Sequence, residues 1–158
     1  MANLREQLEE CFRGRVCLMG LGNIDYGDDG IGVRMSERLS AAGLPDVIVA
    51  GTTPERFIDT ATPESFDYLI FLDAVEFGAP PGSAVFLDAE EMAARFPQVS
   101  THKISLGLLA KLVEEKGTIK ARLLGVQPES IKTGGELSPI AQETVDLLCE
   151  LIIDVLNP

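Results

Sequence analysis

The stretch LMGLGNIDYGDDGIGVR, residues 18–34, carries an apolar run into a glycine-rich bend and then sets two adjacent aspartates at the mouth of a helix. A strand-to-helix turn of this kind usually aims backbone N–H groups and the positive helix end at a phosphate. Asp28 and Asp29 oppose that use. The dinucleotide fingerprint G-x-G-x-x-G would need a glycine where the chain has Asp25, and Gly27 is out of step. The bend instead delivers carboxylates to the carboxyl edge of a sheet, where open α/β folds keep their functional groups. Cations become the more natural ligands.

On either side of this stretch the hydrophobic pattern alternates between strand and helix. Residues 16–21 read as a strand and 29–42 as a helix with Ile31, Val33, Met35 and Leu39 as its apolar positions, Asp28 as its N-cap and Gly43 as its stop. Upstream, residues 1–12 form an amphipathic helix that buries Leu4, Leu8, Cys11 and Phe12 and ends at Gly14. Downstream come a strand at 47–50, a short helix at 54–60, and an apolar strand at 68–72 that runs straight into Asp73. Pro80, Pro81 and Gly82 turn the chain into a strand at 84–87, with a helical turn or two at 88–96. A helix at 105–115, a strand at 119–126 and a long helix at 138–156, opened by Ser138 and Pro139, complete the pattern. This alternation predicts an α/β fold: a single three-layer α/β/α domain over 1–158 with a mainly parallel central sheet and right-handed crossovers.

Composition removes whole classes of function. The 158 residues are 46% hydrophobic and carry 13 basic against 25 acidic side chains, a formal charge of −12 that would repel a polyanion. Nucleic acid is therefore not an expected partner. No apolar stretch approaches the roughly 20 residues of a membrane span, so no membrane is expected either. Cys11, Cys17 and Cys149 are odd in number and lack C-x-x-C spacing, and no basic segment followed by an apolar run opens the chain. A reduced, cytoplasmic setting is expected, with all three thiols in the core.

Three ionisable residues fall where this topology gathers function: Asp29 beyond the first strand, Asp73 at the end of the 68–72 strand, and His102 in a polar loop before a helix. Two carboxylates and an imidazole suit a borderline divalent cation such as nickel or zinc with a position left open for substrate or water, and the ligand set does not choose between metals. Simpler roles compete. Either aspartate could serve the helix dipole, Asp73 could begin an Asx turn, and a lone histidine in a polar loop is usually just solvated. An acid directly after an apolar strand must nevertheless reach solvent or find a partner. Asp28 and Asp29 do not make a coupled aspartic dyad, since adjacent helical residues project about 100° apart and no D-[TS]-G motif is present. Gly134 and Gly135 allow either a lip over the site or a plain turn, and Asn23 and this lip are candidate substrate contacts.

The order of motifs resembles one family, the maturation endopeptidases of [NiFe] hydrogenases. The matching pieces are GLGNIDYGDDGIGVR at 20–34, LDAV at 72–75 with the following Gly78-Ala79-Pro80-Pro81-Gly82, STHKISL at 100–106 and LLGVQPESIKTGGELSP at 123–139. The resemblance implies a protease that removes a C-terminal extension from the hydrogenase large-subunit precursor after nickel insertion. It also implies metal-binding and catalytic roles for Asp29, Asp73 and His102, where the first position is often Glu in relatives and the shorter Asp alters the reach. The nickel would be presented by the precursor, with room for another divalent metal in the free enzyme. Such binding should weaken once His102 takes up a proton near the reference value of about 6.5. Residues 1–15 depart from the family pattern, as a packing addition or a contact surface.

Other functions predict other features. A phospho-receiver module would need a lysine after the last strand, where the chain has Val126-Gln127-Pro128. A peptidyl-tRNA hydrolase shares only Gly20-Leu21-Gly22-Asn23 and would need a basic RNA surface. A metal-binding maturation chaperone without proteolysis is compatible with every motif.

Overall fold

A computed structural model describes residues 2–61, 65–97 and 104–157. The chain runs α1 (Leu4–Phe12), β1 (Val16–Leu21), a 3-10 turn (Gly27–Gly30), α2 (Ile31–Ala41), β2 (Val47–Gly51), a second 3-10 turn (Pro54–Arg56) and α3 (Ile58–Ala61). It continues through β3 (Tyr68–Ala74), β4 (Ala84–Asp88), α4 (Ala89–Arg95), α5 (Leu106–Glu114), β5 (Lys120–Val126) and α6 (Pro139–Leu156). The five strands form one sheet in the order β2-β1-β3-β5-β4. Every pairing is parallel except that of β4 with β5, which places the single antiparallel strand at an edge. The expected α/β architecture with a mainly parallel sheet is therefore what the chain adopts.

The three central strands show why one sheet can hold two cores. Their side chains alternate across the pleat. Cys17, Met19 and Leu21 of β1, Leu69 and Phe71 of β3, and Ala121 and Leu123 of β5 face α3, α4 and α5. Leu18, Ile70, Leu72, Leu124 and Val126 face α1, α2 and α6. Each fully buried Leu or Phe contributes on the order of 1.5–3 kcal/mol, so both layers are held chiefly by this alternation. Asp73 continues the odd-numbered face of β3, which turns it toward the α4 and α5 side.

Local chemistry sets the helix ends. Asn3, Asp88, Ser105 and Ser138 each accept a backbone N–H from the first turn of the helix they precede, and Asp88 and Glu91 form a reciprocal capping box. Helix α2 begins at Ile31, later than the sequence pattern suggests, because the chain first makes the tighter 3-10 turn over Gly27–Gly30. Gly32 then lets α2 press onto the sheet: a Cβ there would lie 1.9 Å from the Leu72 carbonyl oxygen and 2.5 Å from that of Leu21. This contact draws the acidic turn to the carboxyl ends of β1 and β3.

Candidate active site

The bend after β1 is shaped by Gly22, whose φ of +123° favours glycine and whose Cβ would overlap the Asp29 carbonyl oxygen at 1.9 Å. The same position lies 3.7 Å from Asp73 Oδ1, so one glycine brings the Asp29 backbone and the Asp73 side chain together. The Asn23 N–H donates to Asp29 Oδ2 at 3.0 Å and orients that carboxylate. Asp29 is 4% exposed and Asp73 is 2% exposed. Two acids at this depth in a chain of charge −12 create a site where a cation gains and an anion loses.

Asp28 does something else. The sequence pattern makes it the N-cap of the following helix, yet neither the 3-10 turn nor α2 has a side-chain cap. Its fully buried carboxylate instead accepts four hydrogen bonds from across the molecule: Glu129 N at 2.8 Å, Ser130 N at 3.4 Å, Ser138 N at 2.7 Å and Ser138 Oγ at 2.7 Å. Burial alone would raise its pKa, but the bonds from Ser138, Glu129 and Ser130 outweigh it and hold the carboxyl below the usual range. Consecutive residues of a 3-10 turn project about 120° apart, so the two neighbours serve opposite sides.

Asp29 opens onto a cleft of about 730 Å³. Ala74, Val75 and Glu76 at the end of β3 and just beyond it line it, as do Arg95, Phe96 and Pro97 at the end of α4 and just beyond it, Leu106 at the start of α5, and Pro128 to Ile131 after β5. Gln127, almost fully buried, builds its rim: Oε1 accepts from Phe77 N at 2.9 Å and Ala79 N at 3.3 Å, while Nε2 donates to Glu76 Oε2 at 2.7 Å. A mixed apolar and polar groove of this size suits a peptide segment rather than a single small anion.

The comparisons with known proteins agree with this arrangement. A family model described as hydrogenase maturation protease matches residues 31–155, which is most of the chain. The chain belongs to the hydrogenase maturation protease family. It is similar to the hydrogenase 3 maturation protease of Escherichia coli, 32% identical with 82% of this chain and 81% of the relative covered. A putative maturation protease of Methanocaldococcus jannaschii is 29% identical over 87% of this chain and 94% of its own. Among solved structures, a [NiFe] hydrogenase maturation protease from Thermococcus kodakarensis superposes with a TM-score of 0.84 at 31% identity, covering 96% of this chain and 99% of that one. The hydrogenase maturating endopeptidase of Escherichia coli gives 0.74 at 29% identity, over 90% and 91%. This maturation protease is accordingly an endopeptidase, a hydrolase of peptide bonds.

Within the protease, Asp29 lines the cleft and the Asp73 carboxylate lies beside the same Gly22 bend that carries the Asp29 backbone, whereas His102 lies outside the described residues. Among the described residues no three His, Cys, Asp or Glu side chains converge as a ligand group for a metal ion. The Gly134 lip is tied down: Gly27 N donates to Gly134 O at 2.6 Å and Gly134 N to Asp25 O at 2.9 Å. Asn23 acts through its backbone on Asp29, and its side chain accepts from Asp25 N at 2.9 Å. The sequence reading missed Gln127 and the true role of Asp28. A polar residue directly after an apolar strand was the available signal for the first, while nothing local in the sequence distinguishes Asp28 from an ordinary helix cap.

Proposed function

We propose that this protease removes a C-terminal extension from the large-subunit precursor of a [NiFe] hydrogenase, and that it senses nickel already held by that precursor through Asp29, Asp73 and His102. The observation that carries the reading is a buried carboxylate, Asp29, lining a peptide-sized cleft, with a second buried carboxylate, Asp73, beside the Gly22 bend that holds the Asp29 backbone. An ion that arrives with ligands of its own needs only a few more donors, and two carboxylates with one imidazole match a borderline divalent cation. In the sequence His102 falls between Pro97 and Leu106, and both of these residues line the cleft. Docking of the loaded precursor would complete the metal's coordination and fix the scissile bond in the groove. Asp29, Asp73 and His102 would hold the precursor's nickel, which would supply polarisation of the scissile carbonyl or activation of a water, and a carboxylate oxygen left unligated would accept the water's proton. Cleavage thereby waits for metal insertion. A cytoplasmic setting fits this task, and no helix among the described residues is long and apolar enough to cross a membrane.

The test is to incubate the protease with nickel-loaded and nickel-free precursor and follow C-terminal shortening by intact mass. Shortening of the loaded form alone is expected, and Asp29→Asn, Asp73→Asn and His102→Gln should each abolish it in folded protein. Equal cleavage of both forms, or wild-type rates in two of the three variants, overturns the reading.

A further inference from the structure

Asp28 has no place in the proposed chemistry, yet it is one of the most heavily engaged side chains among the described residues. Its four donors come from Glu129, Ser130 and Ser138, and the first two of these residues form a wall of the cleft. Backbone bonds run beside it: Asp28 N donates to Ser130 O at 2.9 Å, and Tyr26 bridges to Gly134. The Ser138 hydroxyl gives its proton to Asp28 Oδ2 and, through a lone pair, accepts Ala141 N at 3.3 Å as the N-cap of α6. Fixing the carboxylate thus fixes the loop, the helix start and the turn that carries Asp29.

We propose that Asp28 is a positioning residue of this protease, whose carboxylate locks the Pro128–Ile131 wall of the cleft to the turn bearing Asp29, so that peptide seat and acid move as one body. What the cleft holds rests on the proposed function, but the lock itself stands on the hydrogen bonds. Charge-assisted bonds to backbone N–H groups are about twice as strong as neutral ones and directional, so they set register as well as stability. An amide at this position keeps the size but turns an N–H pair toward the donors at Ser138 or Glu129. A misplacement of about 1 Å in such an assembly costs on the order of 100-fold in rate.

The decisive variants are Asp28→Asn and Ser138→Ala, with Ile152→Val on the far face of the molecule as a control of comparable melting temperature. Steady-state cleavage of the nickel-loaded precursor should show Asp28→Asn lowering kcat and raising KM together, by about 30-fold or more in kcat/KM, and Ser138→Ala doing the same more weakly. Ile152→Val should keep both constants at wild-type values. Native-state hydrogen exchange should show about tenfold faster exchange at the Glu129 and Ser138 amides in Asp28→Asn, with the β3 amides unchanged. Either variant at wild-type kcat/KM, or a loss no larger than the control's, overturns the proposal. Unaltered exchange at Glu129 and Ser138 also overturns it, and because that measurement needs no substrate it stands even if the wild-type protease fails to cleave the loaded precursor.

Discussion

The two faces of the sheet are built to different ends. One is closed by helices of 9, 11 and 18 residues, α1, α2 and α6, whose buried side chains form a continuous layer from Leu8 to Ile152. The other carries helices of 4, 7 and 9 residues, α3, α4 and α5, and leaves a cleft between the chain ends that follow α4, β3 and β5. Both faces are packed beneath the middle of the sheet, so the difference lies at the carboxyl edge, where the short helices stop covering it. Both faces contribute a packed core, and the opening lies on the short-helix side alone. Asp28 and Asp29 repeat the contrast at the scale of two residues, one spending its lone pairs on the protein's own backbone and the other lining the cleft.

The strongest way to break this comparison is to neutralise the cleft side alone. Asp73→Asn should reduce cleavage by about 100-fold to 10,000-fold, the usual range for losing an acid or base, while thermal unfolding stays within a few degrees of wild type. Loss of fold along with activity would mean that Asp73 serves the core and not the site. Next in size is Gly32→Ala on the closed face, where a Cβ would meet the Leu72 carbonyl oxygen at 1.9 Å and drive α2 from the sheet. Urea unfolding should reveal a loss of roughly 3 kcal/mol or more. A near-neutral result would mean that α2 can shift without cost and that its close approach does not hold the acidic turn in place.

Much of this was legible because period and punctuation agreed. The run Tyr68 to Leu72 is buried as a central parallel strand requires, and Ser138 with Pro139 marked the start of α6 where it stands. Asp73 belongs to the strand and not to the turn after it, since β3 continues to Ala74 through pairing with Gly125 and Val126. Asp29 reached the cleft through Gly22 and Gly32, whose spacing in the sequence signals a tight turn but not which side chain it exposes. Asp28 was illegible for a physical reason: its partners lie more than 100 residues away, and a local cap and a long-range anchor look identical in sequence. The linkage of Gln127 to Glu76 was hidden in the same way.

A smaller pair of truncations sharpens the contrast. Ile152→Ala removes a fully buried side chain from α6 and should cost about 2–4 kcal/mol in denaturant unfolding with kcat/KM unchanged below the transition. Phe96→Ala acts on a half-buried ring that lines the cleft, so a smaller stability loss should accompany a several-fold rise in KM. Reversal of that pattern would place the peptide on the long-helix side.

The smallest effect at neutral pH concerns the cysteines, which sample both faces. Cys17 packs against the short helices, and Cys11 and Cys149 pack against the long ones. Burial pushes the Cys17 thiol up to about 12 and those of Cys11 and Cys149 up to about 11, so all three are protonated in the folded protein near neutrality. Native protein at pH 8 should react with a thiol reagent only at the rate of opening, and unfolded protein at once. Because the folded state holds these protons more tightly than the unfolded chain, their contribution to stability is fully present below about pH 9, the ordinary thiol value, and is lost as pH rises toward the folded values. Cys17→Ala should flatten that alkaline loss in a pH series of urea midpoints. If it leaves the slope unchanged while Cys149→Ala removes it, the thiol linkage belongs to the closed face alone, and the short-helix face is wetter beneath the cleft than its packing around Cys17 indicates.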